Sequence, residues 1–305
     1  MKGGEFDMLR GIFRALGAAA GDGLGDDCAL VPLGPTTLAV SIDCSLEGVH
    51  FRTDWLTFEE IGWRSAAAAL SDLAAEGAEP IGVLVSLGMP GRGKGEGGRV
   101  GAGAEIMSGV GAAAQSVGAK VLGGDLVRSE KYLVDVCVLG KAERPVRRAG
   151  ARAGDGIWVT GRLGGAGLAL AGFRAGTRPG GSLGRRYAHP EPRIAAGRWL
   201  AAHGATAMID ISDGLAADAW HLAAASGVGL EIRLEQLPCW DGVAPLAAAA
   251  SGEEFELLVA LPASFHETPD FELTRIGECV RGEGVRLLEG NTPVALPAGY
   301  DHFVT

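Results

Sequence analysis

The chain has 305 residues, a formal net charge of −10 and 47 % hydrophobic residues, with a mean hydropathy of +0.19. That length exceeds one small core and suits two domains. The negative balance argues against nucleic acid or an anionic membrane surface as the main partner. Glycine, at 50 residues, is about double its usual share of roughly 7 %. It follows no G-X-Y period, so it reads as tight turns and close backbone approaches. The five cysteines are far apart and never form C-x-x-C, so free thiols in a reducing cytoplasm are expected rather than a disulfide framework or zinc knuckle. Charges interrupt the apolar part of "MKGGEFDMLRGIF", which makes it a poor signal peptide. No apolar run approaches the ~18 residues of a membrane span. A soluble cytoplasmic protein is the expectation.

In chain order, "TLAVSID" (37–43) alternates like a strand. "TFEEIGWRSAAAALSDLAAEGAE" reads as a helix, with Thr57 as N-cap and Glu60 three residues on completing a capping box. Strand "IGVLVSLGM", a Gly-rich loop (88–98), an Ala/Gly helix to about Val117, and strands "AKVLGGD" and "YLVDVCVLGKA" follow. The basic turn segment "VRRAGARAGD" (146–155) marks the domain junction, giving domains 1–145 and 146–305. The second half reads as strand "GIWVTG", a helix from Gly164, the loop "GTRPGGSLGRRYAHPEPR", helix "IAAGRWLAAH", strand "TAMID" and helix "DGLAADAWHLAAAS". Strands "GLEIRL" and "EFELLVAL" and a further strand pair complete it. Strands and helices alternate in both halves, which predicts an α/β (α+β) fold.

One pattern carries chemistry. Aspartates recur at the edges of apolar segments: Asp26 and Asp27 in "GLGDDCAL", Asp43 in "LAVSID", Asp125 in "VLGGD", and Asp210 with Asp213 in "MIDISDGLAAD". Asp72 sits on the Ala-rich helix. Aspartate is common in turns and N-caps, yet a repeated series beside Gly and Ser points to hard oxygen ligands for more than one Mg²⁺. Cations between acidic side chains and a polyphosphate reconcile an acidic site with a phosphorylated ligand. They also explain why Asp210 and Asp213 stand close together without a compensating Lys or Arg.

Other signals are weak. "GRGKGEGG" lacks the hydroxyl residue of a phosphate-binding P-loop, and "VTGRLGGAGLAL" lacks G-x-G-x-x-G spacing, so its glycines are assigned to close packing. Neither G-x-S-x-G nor H-E-x-x-H occurs. His50, close to Asp43, serves either a structural or a site role. Arg147 and Arg148 are either solvated linker charges or cations that reach a phosphate. Trp55 reads as a core aromatic.

The segments "GEF", "GDDCAL", "SIDCSLEGVHF", "LSDLAAEGA", "GGDLVRS", "RRAGARAGD", "IDISDGLAAD", "SGEEFELL" and "GYDHF" occur in this order along nearly the whole chain. In these the sequence resembles the thiamine-monophosphate kinases, whose superfamily includes aminoimidazole ribonucleotide synthetase, selenophosphate synthetase and a hydrogenase-maturation protein. The resemblance implies an N-terminal mixed sheet with helices that binds ATP and Mg²⁺ and dimerises, and a C-terminal α/β domain that completes the site. It implies phosphorylation of thiamine monophosphate by ATP to thiamine diphosphate, by a homodimer joined through the N-terminal domains.

By position, the resemblance makes Asp27, Ser41, Ile42, Asp43, Asp72, Asp125, Asp210 and Asp213 the Mg²⁺ shell. Gly124, Asp125, Arg148 and Ser212 would contact the nucleotide, and His50, Glu253 and Tyr300 the thiamine phosphate. Asp27, Asp72, Asp213 and Arg148 would carry catalysis. The chain departs from the family at Ile42, commonly Thr, so that a metal contact there uses the backbone carbonyl. It departs again at Leu126 and Val127, which replace hydroxyl residues, and at Ser251, Glu254 and Phe255, where the family has Gly, Asp and Tyr. The acceptor's phosphate is largely ionised by pH 7, so no general base is needed and direct in-line transfer is expected. A sister enzyme of the superfamily, a silent nucleotide-binding module and a metal-dependent phosphatase are the competing readings.

Overall fold

The alternating apolar segments of the first half build one mixed sheet around an alanine-rich helix. This computed structural model describes residues 5–16, 24–91, 98–297 and 299–300. Helix α1 (Glu5–Leu16) precedes strands β1 (Ala29–Leu33) and β2 (Thr36–Leu46), helix α2 (Phe58–Ala75), β3 (Glu79–Pro90), α3 (Gly98–Ser116), β4 (Lys120–Ser129) and β5 (Leu133–Ala142). The strands form a five-stranded sheet in the order β1-β2-β5-β3-β4, antiparallel except for the β3–β4 pair. Val134, Val136 and Val138 of β5 are fully buried in the core shared with α2. Residues of the opposite parity point to a face that, among the described residues, no helix covers, where Ile42, Leu84 and Leu122 are exposed.

Helix α2 starts as its sequence predicts. The Thr57 side chain accepts from Glu60 N–H, while the Glu60 carboxylate accepts from Thr57 N–H. Its small residues let neighbours approach to backbone contact. A Cβ on Gly62 would stand 1.9 Å from the Ile106 carbonyl oxygen, and one on Gly109 1.9 Å from that of Glu59. The α2–α3 pair therefore tolerates no side chain at either crossing point.

The second half contributes β6 (Gly156–Thr160), helices α4 (Gly165–Arg174), α5 (Gly181–Ala188) and α6 (Ile194–Ala202), β7 (Ala207–Asp210), α7 (Leu215–Ser226), β8 (Gly229–Arg233), α8 (Pro245–Ala249), β9 (Leu257–Leu261), β10 (Leu273–Val280), β11 (Gly284–Glu289) and β12 (Thr292–Val294). Its seven-stranded sheet runs β12-β11-β8-β10-β6-β9-β7, with β8–β11 parallel. Helix α2 reaches across to it, packing on α5, α6 and β7. One core accordingly joins α2 residues such as Leu70 and Leu73 to Tyr187, Leu200 and Met208, and a second core lies between α7 and the larger sheet. Among the described residues no helix is long and apolar enough to cross a membrane.

Three expectations are corrected. Strands β2 and β4 do not stop at Asp43 and Asp125 but continue to Leu46 and Ser129, because their ladder partners on β5 and β3 extend that far. The Gly/Pro-rich segment read as a loop contains α5, whose Arg186 and Tyr187 are buried. The C-terminal strand pair is a set of three strands, β10, β11 and β12. Gly4 of "GEF", residues 92–97 of the Gly-rich loop and residues 301–303 of "GYDHF" lie outside the described residues.

Candidate active site

Three elements converge where the two halves meet. Asp27 lies two residues before β1, Asp72 near the end of α2, and Asp210 closes β7; one carboxylate oxygen of each lies within 4.8 Å of the others. Ser41 Oγ, from β2, donates to Asp72 Oδ2 at 2.5 Å. Arg148 binds Asp27 through both oxygens, with Nη2–Oδ1 at 2.7 Å and Nε–Oδ2 at 3.2 Å. Its backbone N–H is held by Asp26 Oδ1 at 3.0 Å.

This one guanidinium does not balance the group. Burial, followed by the charge of Asp27, pushes Asp210 up to about 7. Burial and the charges of Asp210, Asp27 and Asp43 push Asp72 well above the carboxylate range. Asp43, buried and near Glu253 and Asp135, rises to about 6. Hard oxygen donors that destabilise one another when ionised are what a divalent cation would relieve. The residues present fit Mg²⁺.

The group opens into a cavity of about 830 Å³, within the range of small-molecule sites. Its lining includes Asp43, Asp72, Asp210, Ser212 and Asp213, and also His50, Glu253 and Tyr300. His50 is oriented by Leu46 N–H, which donates to Nδ1 at 3.0 Å. Trp55 stacks on Phe173 at 5.5 Å in the core, as an ordinary core aromatic does, and one part of it reaches the cavity wall.

The turn after β7 is held by a residue that sequence reasoning did not single out. Asp218 is buried, and its Oδ2 accepts the N–H groups of Ser212, Asp213 and Gly214, each at 3.1 Å. An acid in the first turn of a predicted helix was the available signal. Arg64 was missed as well. It is buried on α2, with Nη2 2.5 Å from Glu253 Oε2, Nη1 donating to Tyr187 O at 2.5 Å, and its guanidinium 4.0 Å above the Tyr187 ring. A lone cation in an alanine run pointed to it. Glu253 itself has φ 57, a left-handed conformation rare without glycine, fixed by its N–H to Ser212 O at 2.6 Å. Such strain persists where surroundings impose it.

The departures from the family pattern sort by direction. Glu254 is fully buried and turned away from the cavity: it pairs with Arg186 at 2.9 Å and accepts from Gly164 and Ala166 N–H at the start of α4. Ser251 Oγ donates to Glu254 at 2.5 Å. Phe255 is buried and lines the cavity with Ser251. The glycines at the start of α4 serve packing, as expected, but against Trp240 and Val243 rather than a strand.

Gly124 and Asp125 stand apart. They lie on edge strand β4, and Asp125 is exposed on the uncovered face, in a ladder row with Ser86, Asp135 and Cys44. Strands β5 and β3 separate β4 from β2, a distance of roughly 14 Å at ordinary strand spacing, and Asp43 points to the opposite face, towards α2. Ile42 also faces the uncovered side, 66 % exposed. Gly124 has no room for a side chain, since a Cβ there would lie 1.9 Å from Val85 O.

Comparison with known proteins decides the family. The model of the AIR synthase related protein N-terminal domain matches residues 25–142, and that of the C-terminal domain matches residues 152–287. The thiamine-monophosphate kinase of Aquifex aeolicus is 34 % identical over 314 residues, covering 98 % of each chain. The chain belongs to the thiamine-monophosphate kinase family. Another kinase of this family, from Halobacterium salinarum, is 39 % identical over 248 residues, covering 78 % of this chain and 80 % of its own. The solved structure of AaThiL complexed with AMPPCP and TMP matches with a TM-score of 0.89 at 33 % identity, over 98 % of this chain and 97 % of that one. The HypE–HypF complex, at 17 % identity and a TM-score of 0.73, shares the fold.

Proposed function

We propose that this chain phosphorylates thiamine monophosphate to thiamine diphosphate at the expense of ATP, in thiamine diphosphate biosynthesis. The observation that carries this reading is the convergence of Asp27, Asp72 and Asp210 beside a cavity that also presents His50, Glu253 and Tyr300. The kinase family and the relative solved with AMPPCP and TMP support it. An oxygen of the acceptor's phosphate attacks the γ-phosphorus in line; the bond from that phosphorus to the bridging oxygen breaks, and ADP leaves with the electron pair. The acceptor oxygen is already largely anionic at pH 7, so no side chain need take a proton.

Asp27, Ser41, the carbonyl of Ile42, Asp43, Asp72, Asp210 and Asp213 would hold Mg²⁺. Bound there, Mg²⁺ would offset the repulsion between two polyanions. Arg148, fixed by Asp26 and Asp27, adds a positive charge beside the nucleotide, which Ser212 also contacts. Asp218 holds the Ser212–Asp213 turn in place, and Arg64 orients Glu253 towards the cationic thiazolium. His50 and Tyr300 line the acceptor's side. Phosphorus NMR of the chain with Mg-ATP and thiamine monophosphate tests the reading. Signals of ADP and thiamine diphosphate are expected only with both substrates present; inorganic phosphate alone, or no consumption of ATP, overturns it.

The place of Asp125 supports a homodimer through the N-terminal halves. A second copy packed on the uncovered apolar face would cover Ile42, Leu84 and Leu122 and supply its own Gly124 and Asp125 to this site. Leu122, 52 % exposed, is the test: light scattering should show a dimer for the unaltered chain and a monomer of much lower activity for Leu122→Glu. A monomeric, active parent chain contradicts this. The free cysteines suit a cytoplasmic enzyme.

A further inference from the structure

Asp27 belongs to a second acidic group. One carboxylate oxygen of each of Asp26, Asp27 and Glu76 lies within 4.8 Å of the others. Glu76 is the C-cap of α2 and is 0 % exposed. Its Oε1 accepts the Cys28 N–H at 3.4 Å, whereas Oε2 is buried without a hydrogen-bond partner. A buried carboxylate oxygen left without a donor is expensive and calls for a ligand. Of the neighbouring guanidiniums, Arg148 is engaged by Asp27, and Arg147, whose charge also acts on Glu76, leaves Oε2 without a hydrogen bond. Asp26 is half-buried beside it and receives the Arg148 backbone N–H.

We propose that Asp26, Asp27 and Glu76 form an additional divalent-cation site, with Asp27 shared between it and the Asp27–Asp72–Asp210 group. All the side-chain donors are hard oxygens, so the ion is of the Mg²⁺ or Mn²⁺ class rather than a thiophilic metal. A carboxylate common to two groups is the arrangement of paired-metal sites, in which the ions stand about 3.5–4 Å apart. The competing account is that Glu76 remains a neutral, buried acid with no ion.

The proposal rests on the reading of Asp27, Asp72 and Asp210 as a metal-holding group, and the test separates the two. Mn²⁺ alone, without nucleotide, is titrated into the full chain, and free ion is read by electron paramagnetic resonance. Glu76→Gln keeps the acceptor for Cys28 N–H and removes the charge. It is expected to bind one Mn²⁺ fewer per chain, or to bind it at least tenfold more weakly, and Asp26→Asn is expected to do the same. Asp72→Asn should deplete the other group. If Glu76→Gln and Asp26→Asn match the parent while Asp72→Asn is depleted, the additional site is refuted and the first group stands. If the parent binds no Mn²⁺, both are refuted. Should Glu76→Gln fail to fold in a thermal melt, Asp26→Asn, altered at a half-buried position, decides.

Discussion

Asp72 is a carboxylate placed where ionisation is opposed by burial and by neighbouring acids. Removing its charge should therefore separate activity from stability. For Asp72→Asn the rate of ADP release with thiamine monophosphate should fall by about a hundredfold or more, as expected when charge stabilisation of a transition state is lost. The melting temperature of the metal-free protein should hold or rise, because one member of a repelling group is gone. Near-parent turnover would take Asp72 out of the site. Arg64 acts at one remove, by holding Glu253. Arg64→Ala should raise KM for the acceptor by roughly tenfold or more, the range of one charge-assisted hydrogen bond, with a smaller change in kcat. Arg64→Lys should recover part of it, and an effect confined to kcat would contradict the positioning role.

At the scale of elements, α2 organises the molecule. It carries Asp72 and Arg64, seals the first sheet, and touches α3 and α6. Its start depends on the reciprocal Thr57–Glu60 cap. Thr57→Ala should cost about 1 kcal/mol of unfolding free energy, read from denaturant midpoints with m unchanged; no loss would mean that tertiary packing alone sets the helix start. The helix and its cap were legible in the sequence because capping is local chemistry. Helix α5 was not. Its segment "GTRPGGSLGRRYAHPEPR" has poor helix propensity, and what stabilises it is distant: Arg186 pairs with Glu254 and Glu256, and Arg64 reaches Tyr187 O.

For the whole molecule, the crowded carboxylates tie stability to pH. Asp43, Asp210 and Glu76 rise from the ordinary range near 4 to about 6, about 7 and about 9, each chiefly through burial. Between the unfolded and folded values the native chain holds protons that the unfolded chain has released. Their contribution is thus fully present below pH ~4 and is lost as pH rises through those folded values. The melting temperature of the metal-free protein should fall between about pH 5 and pH 9, and Mg²⁺ should flatten the decline by binding the native state. A metal-free protein that grows more stable over that range would show that the carboxylates are already compensated.

The sequence by itself determined the alternating α/β pattern, the α2 cap, and a series of aspartates at the edges of apolar segments, whose hard oxygens suit a divalent cation. These are legible because side-chain period, capping and ligand hardness are properties of short segments. Only the tertiary structure decided which aspartates meet. Asp27, Asp72 and Asp210 come from three distant segments and converge, while Asp125, part of the same series, lies across the sheet on the opposite face. Strand order and facing, set by long-range pairing that no local pattern encodes, make that division.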